Sequence, residues 1–148
     1  SDAAAAVDRT TKGRLRALRA RGDLSGRAGE VTLLHDLPGL AAPRLIVVGL
    51  GERRSFQARH WRKAFSAALA SARRTGTRTL AIDIARPSAT QLDDYYFGRA
   101  VAELTLQGGY RTNDLKTGKR PKAPVLAQVV VSATKESRAD VRRGFAHG

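Results

Sequence analysis

The feature that most restricts the fold is a strand, helix, strand succession in the middle of the chain. Arg44 to Gly49 (Arg-Leu-Ile-Val-Val-Gly) is a continuous, largely β-branched apolar run, the pattern of a strand covered on both faces. Ser55 to Arg74 then carries Trp61, Phe65, Ala68 and Ala72 at helical spacing, and the small residues of that stripe let a helix lie close on a sheet. Arg59, Arg62, Lys63, Arg73 and Arg74 fall off the stripe. Thr75-Gly76 stops the helix, and Thr79 to Ala85 returns to a strand.

The flanks continue the alternation. Leu15 and Leu18 form an i, i+3 stripe in an otherwise basic segment, which predicts one amphipathic helix over Thr10 to Arg21 ended by Gly22. Glu30 to His35 reads as a strand closed by the Pro38-Gly39 turn. Beyond Ala85, Thr90 is the predicted N-cap of a helix with Phe97, Val101 and Leu104 on one face, running to Gly108-Gly109. The span 112–124 is polar and Pro/Gly-punctuated, hence an exposed loop. Val125 to Ser132 is a last strand, and a helix opens from Glu136 towards His147. Strands alternating with helices predict an α/β fold, a three-layer sandwich with a mixed or largely parallel central sheet. A chain of 148 residues supports one such domain.

Composition narrows the chemistry. Cys is absent, which excludes disulfides, thiolate zinc sites and a cysteine nucleophile. The longest apolar runs fall far short of the ~20 residues that span a bilayer, and no secretory leader opens the chain, so a soluble, cytoplasmic protein with no membrane partner is expected. Its first residue is Ser1 rather than Met, as in a processed chain or a fragment. The formal charge is +14, with basic residues thickest over 9–27, 53–78 and 111–122. Such a surface attracts nucleic acid through long-range field and counterion release. The expected phosphate contacts are Arg14, Arg16, Arg53, Arg54, Lys116, Lys119, Arg120 and Lys122. Aromatic interleaving is thin, which argues against a single-strand stacking platform.

Catalytic constellations are not found. His35, His60 and His147 are far apart in sequence, with no carboxylate at metal-ligand spacing, so no metal site is assigned and structural roles are expected for them. Asp93-Asp94 sit near a helix start, where acids favour the helix dipole. Gly49-Leu50-Gly51 follows a strand and precedes a helix, the setting in which glycines let a backbone approach phosphate, but Arg54 stands where the third glycine of the dinucleotide fingerprint belongs. No catalytic or cofactor-binding residue is assigned. The residues read as a binding or assembly module.

Three ordered stretches carry a family resemblance: Arg19 to His35, Pro43 to Glu52, and Tyr110 to Thr117. With the closing helix Val141 to Gly148, they resemble the amino-terminal domain of cytosolic leucyl aminopeptidases. That resemblance implies a macro-domain-like α/β unit over 1–133. It also implies that 134–148 begins a connector helix towards a carboxy-terminal domain. In the family, that further domain holds two divalent metals (zinc, manganese) and an Asn-Thr-Asp-Ala-Glu-Gly-Arg signature, and the enzymes are homo-hexamers that remove amino-terminal residues from peptides. Nothing here matches the metal-binding signature, so this chain is expected to be non-catalytic. Some bacterial members double as DNA-binding proteins. Family members also begin with an extra apolar strand that is missing here, which predicts either an unpaired sheet edge or a gap filled by a neighbour. Thr112 stands where the family often has an aromatic residue. Recognition of ADP-ribose or another phosphorylated nucleotide at the Gly49-Leu50-Gly51 turn is the further expectation, by analogy with macro domains.

Overall fold

The computed structural model describes residues 2–83, 93–109, 126–132 and 137–148. In chain order these form α1 (Asp2–Thr10), α2 (Arg14–Ala20), β1 (Val31–His35), β2 (Arg44–Val48), a 3-10 turn (Arg53–Ser55), α3 (Ala58–Arg74), β3 (Thr79–Asp83), α4 (Asp94–Gly109), β4 (Gln128–Ser132) and α5 (Arg138–His147). The fold is mixed α/β, as the alternation predicts.

The single amphipathic helix expected over Thr10 to Arg21 is instead two helices. The chain breaks where Lys12 and Gly13 take left-handed φ angles of 53° and 79°. Buried Thr11 turns its hydroxyl back onto the Val7 carbonyl. Gly13 has no side chain to cap α2, and Asp8 of α1 supplies the acceptor: its Oδ1 takes the Arg16 N–H at 3.0 Å. Gly22 ends α2 as predicted, at φ 86°.

Inside α3 and α4 the predicted stripes are the core. Trp61, Phe65, Leu69, Phe97, Ala100 and Val101 form one buried cluster, with Trp61 stacked on Phe65 and edge-on to Phe97, each at 5.1 Å between ring centroids. Leu80 and Ile82 from β3, and Val129 and Val131 from β4, pack against it only partly buried. Asp93, one residue before α4, caps it by accepting the Tyr96 N–H at 2.7 Å. Thr90, the expected cap, lies outside the described residues, as does the 112–124 loop.

The strand pairing is mixed, as expected. Among the described residues there are two separate two-stranded sheets: β1 and β2 pair antiparallel from Val31↔Val48 to His35↔Arg44, and β3 and β4 pair parallel from Thr79↔Gln128 to Asp83↔Ser132. Among the described residues no strand pairing joins the two. β2, expected to be covered on both faces, is half-buried from Leu45 to Val48 with Arg44 exposed, and all five of its residues border an open cleft.

Two devices fix the helical layer. Gly98 of α4 meets the Val141 backbone of α5, and Gly144 of α5 meets the Tyr95 carbonyl of α4, so closely that a Cβ at either position would overlap a main-chain oxygen. Glu103 of α4 accepts from Arg99 at 2.8 Å and from Arg62 of α3 at 2.9 Å. The hydrogen bond from Arg99, then that from Arg62, holds the Glu103 carboxyl below its ordinary value and raises both guanidinium values.

Gly144→Ala inverts the usual preference of helices for Ala over Gly: we expect a loss of about 1–3 kcal/mol from overpacking, read as a lower denaturant midpoint, while an unchanged midpoint would contradict the close contact. Since Glu103 binds protons less readily folded than unfolded, its stabilisation is complete above the unfolded carboxylate range and is lost as pH falls through the depressed value. Glu103→Gln therefore lowers the melting temperature at pH 7, and the gap from the parent chain closes on acidification. A gap that persists unchanged in acid would assign Glu103 a packing role instead.

Candidate functional site

The strand-to-helix turn after β2 is the first place to look for ligand chemistry. The Gly49 N–H donates to the Glu30 carbonyl at 2.8 Å and the Gly51 N–H to the Gly26 carbonyl at 3.0 Å, while the Gly49 carbonyl accepts from Gly29 at 2.8 Å. A Cβ at Gly49 would overlap the Arg27 carbonyl, and Gly51 has φ 80°. These glycines therefore let the turn pack on the 26–29 loop, and both amides that a phosphate would need are already committed. Arg53 and Arg54 follow in the 3-10 turn, exposed.

The basic positions divide in two. Arg14 and Arg16 stand on α2, exposed, and Arg16 also reaches Asp8 with Nη2 to Oδ2 at 3.4 Å. Together with Arg53 and Arg54 they are the described members of the expected phosphate set. Lys116, Lys119, Arg120 and Lys122 lie outside the described residues.

Several carboxylates and two imidazoles have structural partners. Asp8 caps α2, Asp93 caps α4, Glu103 pairs with two arginines, and Asp140 pairs with Arg143 at 2.9 Å. The Ser25 hydroxyl donates to Glu30. His60 Nδ1 accepts the Gln57 N–H at 3.1 Å ahead of α3, and His147 Nδ1 meets the Tyr95 hydroxyl at 3.1 Å. Among the described residues, no group of three or more His, Cys, Asp or Glu could hold a metal ion. A two-metal centre needs several carboxylates converging on ions ~3.5–4 Å apart, and the donors here, dispersed over separate caps and ion pairs, do not fit one. Among the described residues, no helix is long and apolar enough to cross a membrane.

Among the described residues, a cleft of about 670 Å³ is bordered by Arg44 to Val48 of β2 and Thr79 to Ile82 of β3. Trp61 and Phe65 of α3 and Val7 of α1 also line it. Its lining is mostly aliphatic and aromatic, without a convergent set of titratable side chains. Arg44 donates from Nη1 to the Thr75 carbonyl at 2.9 Å, linking the start of β2 to the end of α3. The sequence did not place this cleft, because strand order is not written in the local pattern.

Comparison with known proteins is consistent with this geometry. Residues 1–119 match the profile described as the Cytosol aminopeptidase family, N-terminal domain. Probable cytosol aminopeptidases from Azotobacter vinelandii and Halorhodospira halophila are 33% and 36% identical, each over 97% of this chain. The chain spans only 29% and 28% of those relatives' lengths. Among solved structures, the bottromycin maturation enzyme BotP superposes with a TM-score of 0.63 at 31% identity, covering 87% of this chain and 26% of that one. A tomato leucine aminopeptidase mutant shares the fold with a TM-score of 0.62 at 20% identity, covering 93% of this chain and 27% of that one. The chain belongs to the cytosol aminopeptidase family and corresponds to its amino-terminal domain.

Proposed function

We propose that this chain is a non-catalytic assembly and regulatory domain of a cytoplasmic leucyl aminopeptidase. The hydrolysis of amino-terminal residues from peptides, with two divalent metals (zinc or manganese), belongs to a carboxy-terminal domain. The observation that carries the reading is one of coverage: relatives named as aminopeptidases match 97% of this chain, while it spans less than a third of them. The dispersal of its acids into caps and arginine pairs supports the same division of labour. In this reading 1–133 forms the domain, and 134–148 leads through α5 towards the catalytic domain within a homo-hexamer. The close seating of Gly144 on α4 supports a stiff connection, since two backbones in contact leave little room for α5 to slide.

The isolated chain, given manganese or zinc and a leucine chromogenic substrate, is expected to show no turnover above the metal-only background. Hydrolysis that survives repurification and disappears with a chelator would overturn the proposal.

A second reading, DNA binding through the basic surface, is favoured by one observation: Arg14, Arg16, Arg53 and Arg54 are all exposed. If six or more phosphates are engaged, affinity for duplex DNA falls roughly 1,000-fold or more between ~50 and ~200 mM salt. Arg14→Ala and Arg54→Ala would each lower the salt slope by about 1. A shallow slope, unmoved by either substitution, would remove this reading.

A further inference from the structure

The clasp between His60 and the segment ahead of α3 works only with an unprotonated ring. The Gln57 N–H donates to His60 Nδ1 at 3.1 Å, while the Gln57 carbonyl accepts from the His60 and Trp61 N–H groups at 2.9 and 3.3 Å. Residues 57 and 60 thus exchange bonds in both directions across the first helical turn, the arrangement of a capping box. The usual residue at the second position of that box is Glu or Gln, whose oxygen accepts throughout the neutral range. Here it is His, the side chain that changes charge between about pH 5 and pH 8. A protonated imidazole donates from both nitrogens, and a main-chain N–H cannot receive either bond.

The surroundings also disfavour a proton on the ring. Aligned peptide dipoles place positive charge at the start of α3, and its first turn holds no acid. From 51 to 63 the chain carries Glu52 against Arg53, Arg54, Arg59, Arg62 and Lys63. Arg62 is given to Glu103 of α4, and the Lys63 stem lies over Gly29. α4 also carries Asp94 and Arg99, the latter bonded to Glu103. Of the strands packed on α3, β2 brings Arg44, which bonds Thr75 at the far end of the helix, and β1 brings His35, the register partner of Arg44. Glu30, just before β1, accepts from Ser25. The ring has a packing role as well. Its centroid lies 6.3 Å from that of Phe56, which rests partly buried on the Trp61 and Phe97 cluster. Phe56 and Gln57 are extended, with ψ of 131° and 165°, so neither belongs to a helical ladder that would hold it in place.

We propose that His60 is a pH-sensitive latch. The neutral ring ties the 52–57 segment to the first turn of α3, and protonation in mild acid frees it while the core between α3 and α4 stays folded. Capping selects the neutral ring, so the latch is closed above the imidazole range and opens as the pH falls through it. The segment it releases carries Arg53 and Arg54, so acid loosens a basic turn. The inference stands apart from the assigned function, since it rests only on the geometry of the helix start.

The test compares amide exchange in the 148-residue chain at ~pH 7.5 and ~pH 5, on either side of the imidazole range, with each rate divided by the intrinsic rate of that amide at that pH. We expect protection of the Gln57 amide to fall roughly tenfold on acidification, and protection of Phe97 and Val101 to stay unchanged. His60→Gln keeps an acceptor without the titration and should hold the Gln57 protection at both pH values, whereas His60→Ala should lack it at both. Glu103 does not enter the comparison, because Arg99 and Arg62 hold its carboxyl below the ordinary range and it stays charged in the acid arm. His35, His147 and Glu52 are all present in the His60→Gln chain, which therefore serves as the reference for every other titrating group. Three outcomes would overturn the proposal. One is equal Gln57 protection at both pH values in the unsubstituted chain. Another is the same acid loss in His60→Gln, which assigns the titration to a different group. The last is a matching loss at Phe97 and Val101, which means unfolding of the whole domain and not release of one segment.

Discussion

The contact of Trp61 with Phe97 is the joint on which the other elements depend. It binds α3, which follows β2, to α4, which follows β3, and so ties together the halves that carry the two sheets. Phe97, Leu69 and Val101 are fully buried around it, and the four apolar strand residues Leu80, Ile82, Val129 and Val131 pack on the same cluster. Removing aromatic area from such a site forfeits both transfer free energy and dispersion contacts. Among the described residues the fully buried side chains belong to this helical cluster, and the strands pack on it only partly buried.

Around that joint, polar groups set geometry and do not create reactivity. Glu103 reaches both Arg62 and Arg99, so one carboxylate spans α3 and α4 near the aromatic contact. Asp8 holds the kink between α1 and α2, and Asp93 starts α4. The two arginines hold the Glu103 carboxyl below its ordinary value, the reverse of the environment that tunes a carboxyl for proton transfer near neutral pH. A surface with many more cations than acids, whose described acids are largely engaged internally, presents arginines outward.

The Gly49 to Gly51 turn shows how the same residues change meaning once their neighbours are known. As a sequence it has the form of a phosphate loop with one glycine missing. In the fold its amides point at the carbonyls of Glu30 and Gly26, and its lack of side chains serves the close approach of the 26–29 loop. Gly98 and Gly144 work in the same way between α4 and α5, and neither has a local signature that separates it from an ordinary helix glycine.

By itself the sequence determined the order and kind of most elements: the Trp61, Phe65 and Ala72 stripe, the Phe97 and Val101 face, the four strands, and the stops at Gly22 and Thr75-Gly76 follow from periodicity and backbone preference, which act over a few residues. It also carried the family membership in the ordered stretches around Arg19 to His35 and Pro43 to Glu52. Only the tertiary structure decided that the 10–21 segment breaks at Lys12-Gly13, that Asp93 caps α4, that Gly98 and Gly144 touch the opposing backbone, and that β1 pairs with β2 while β3 pairs with β4. Each of these depends on a partner distant in sequence or in another element. A strand's apolar pattern says that it must be covered, but which edge stays open is settled by the order in which strands assemble in space.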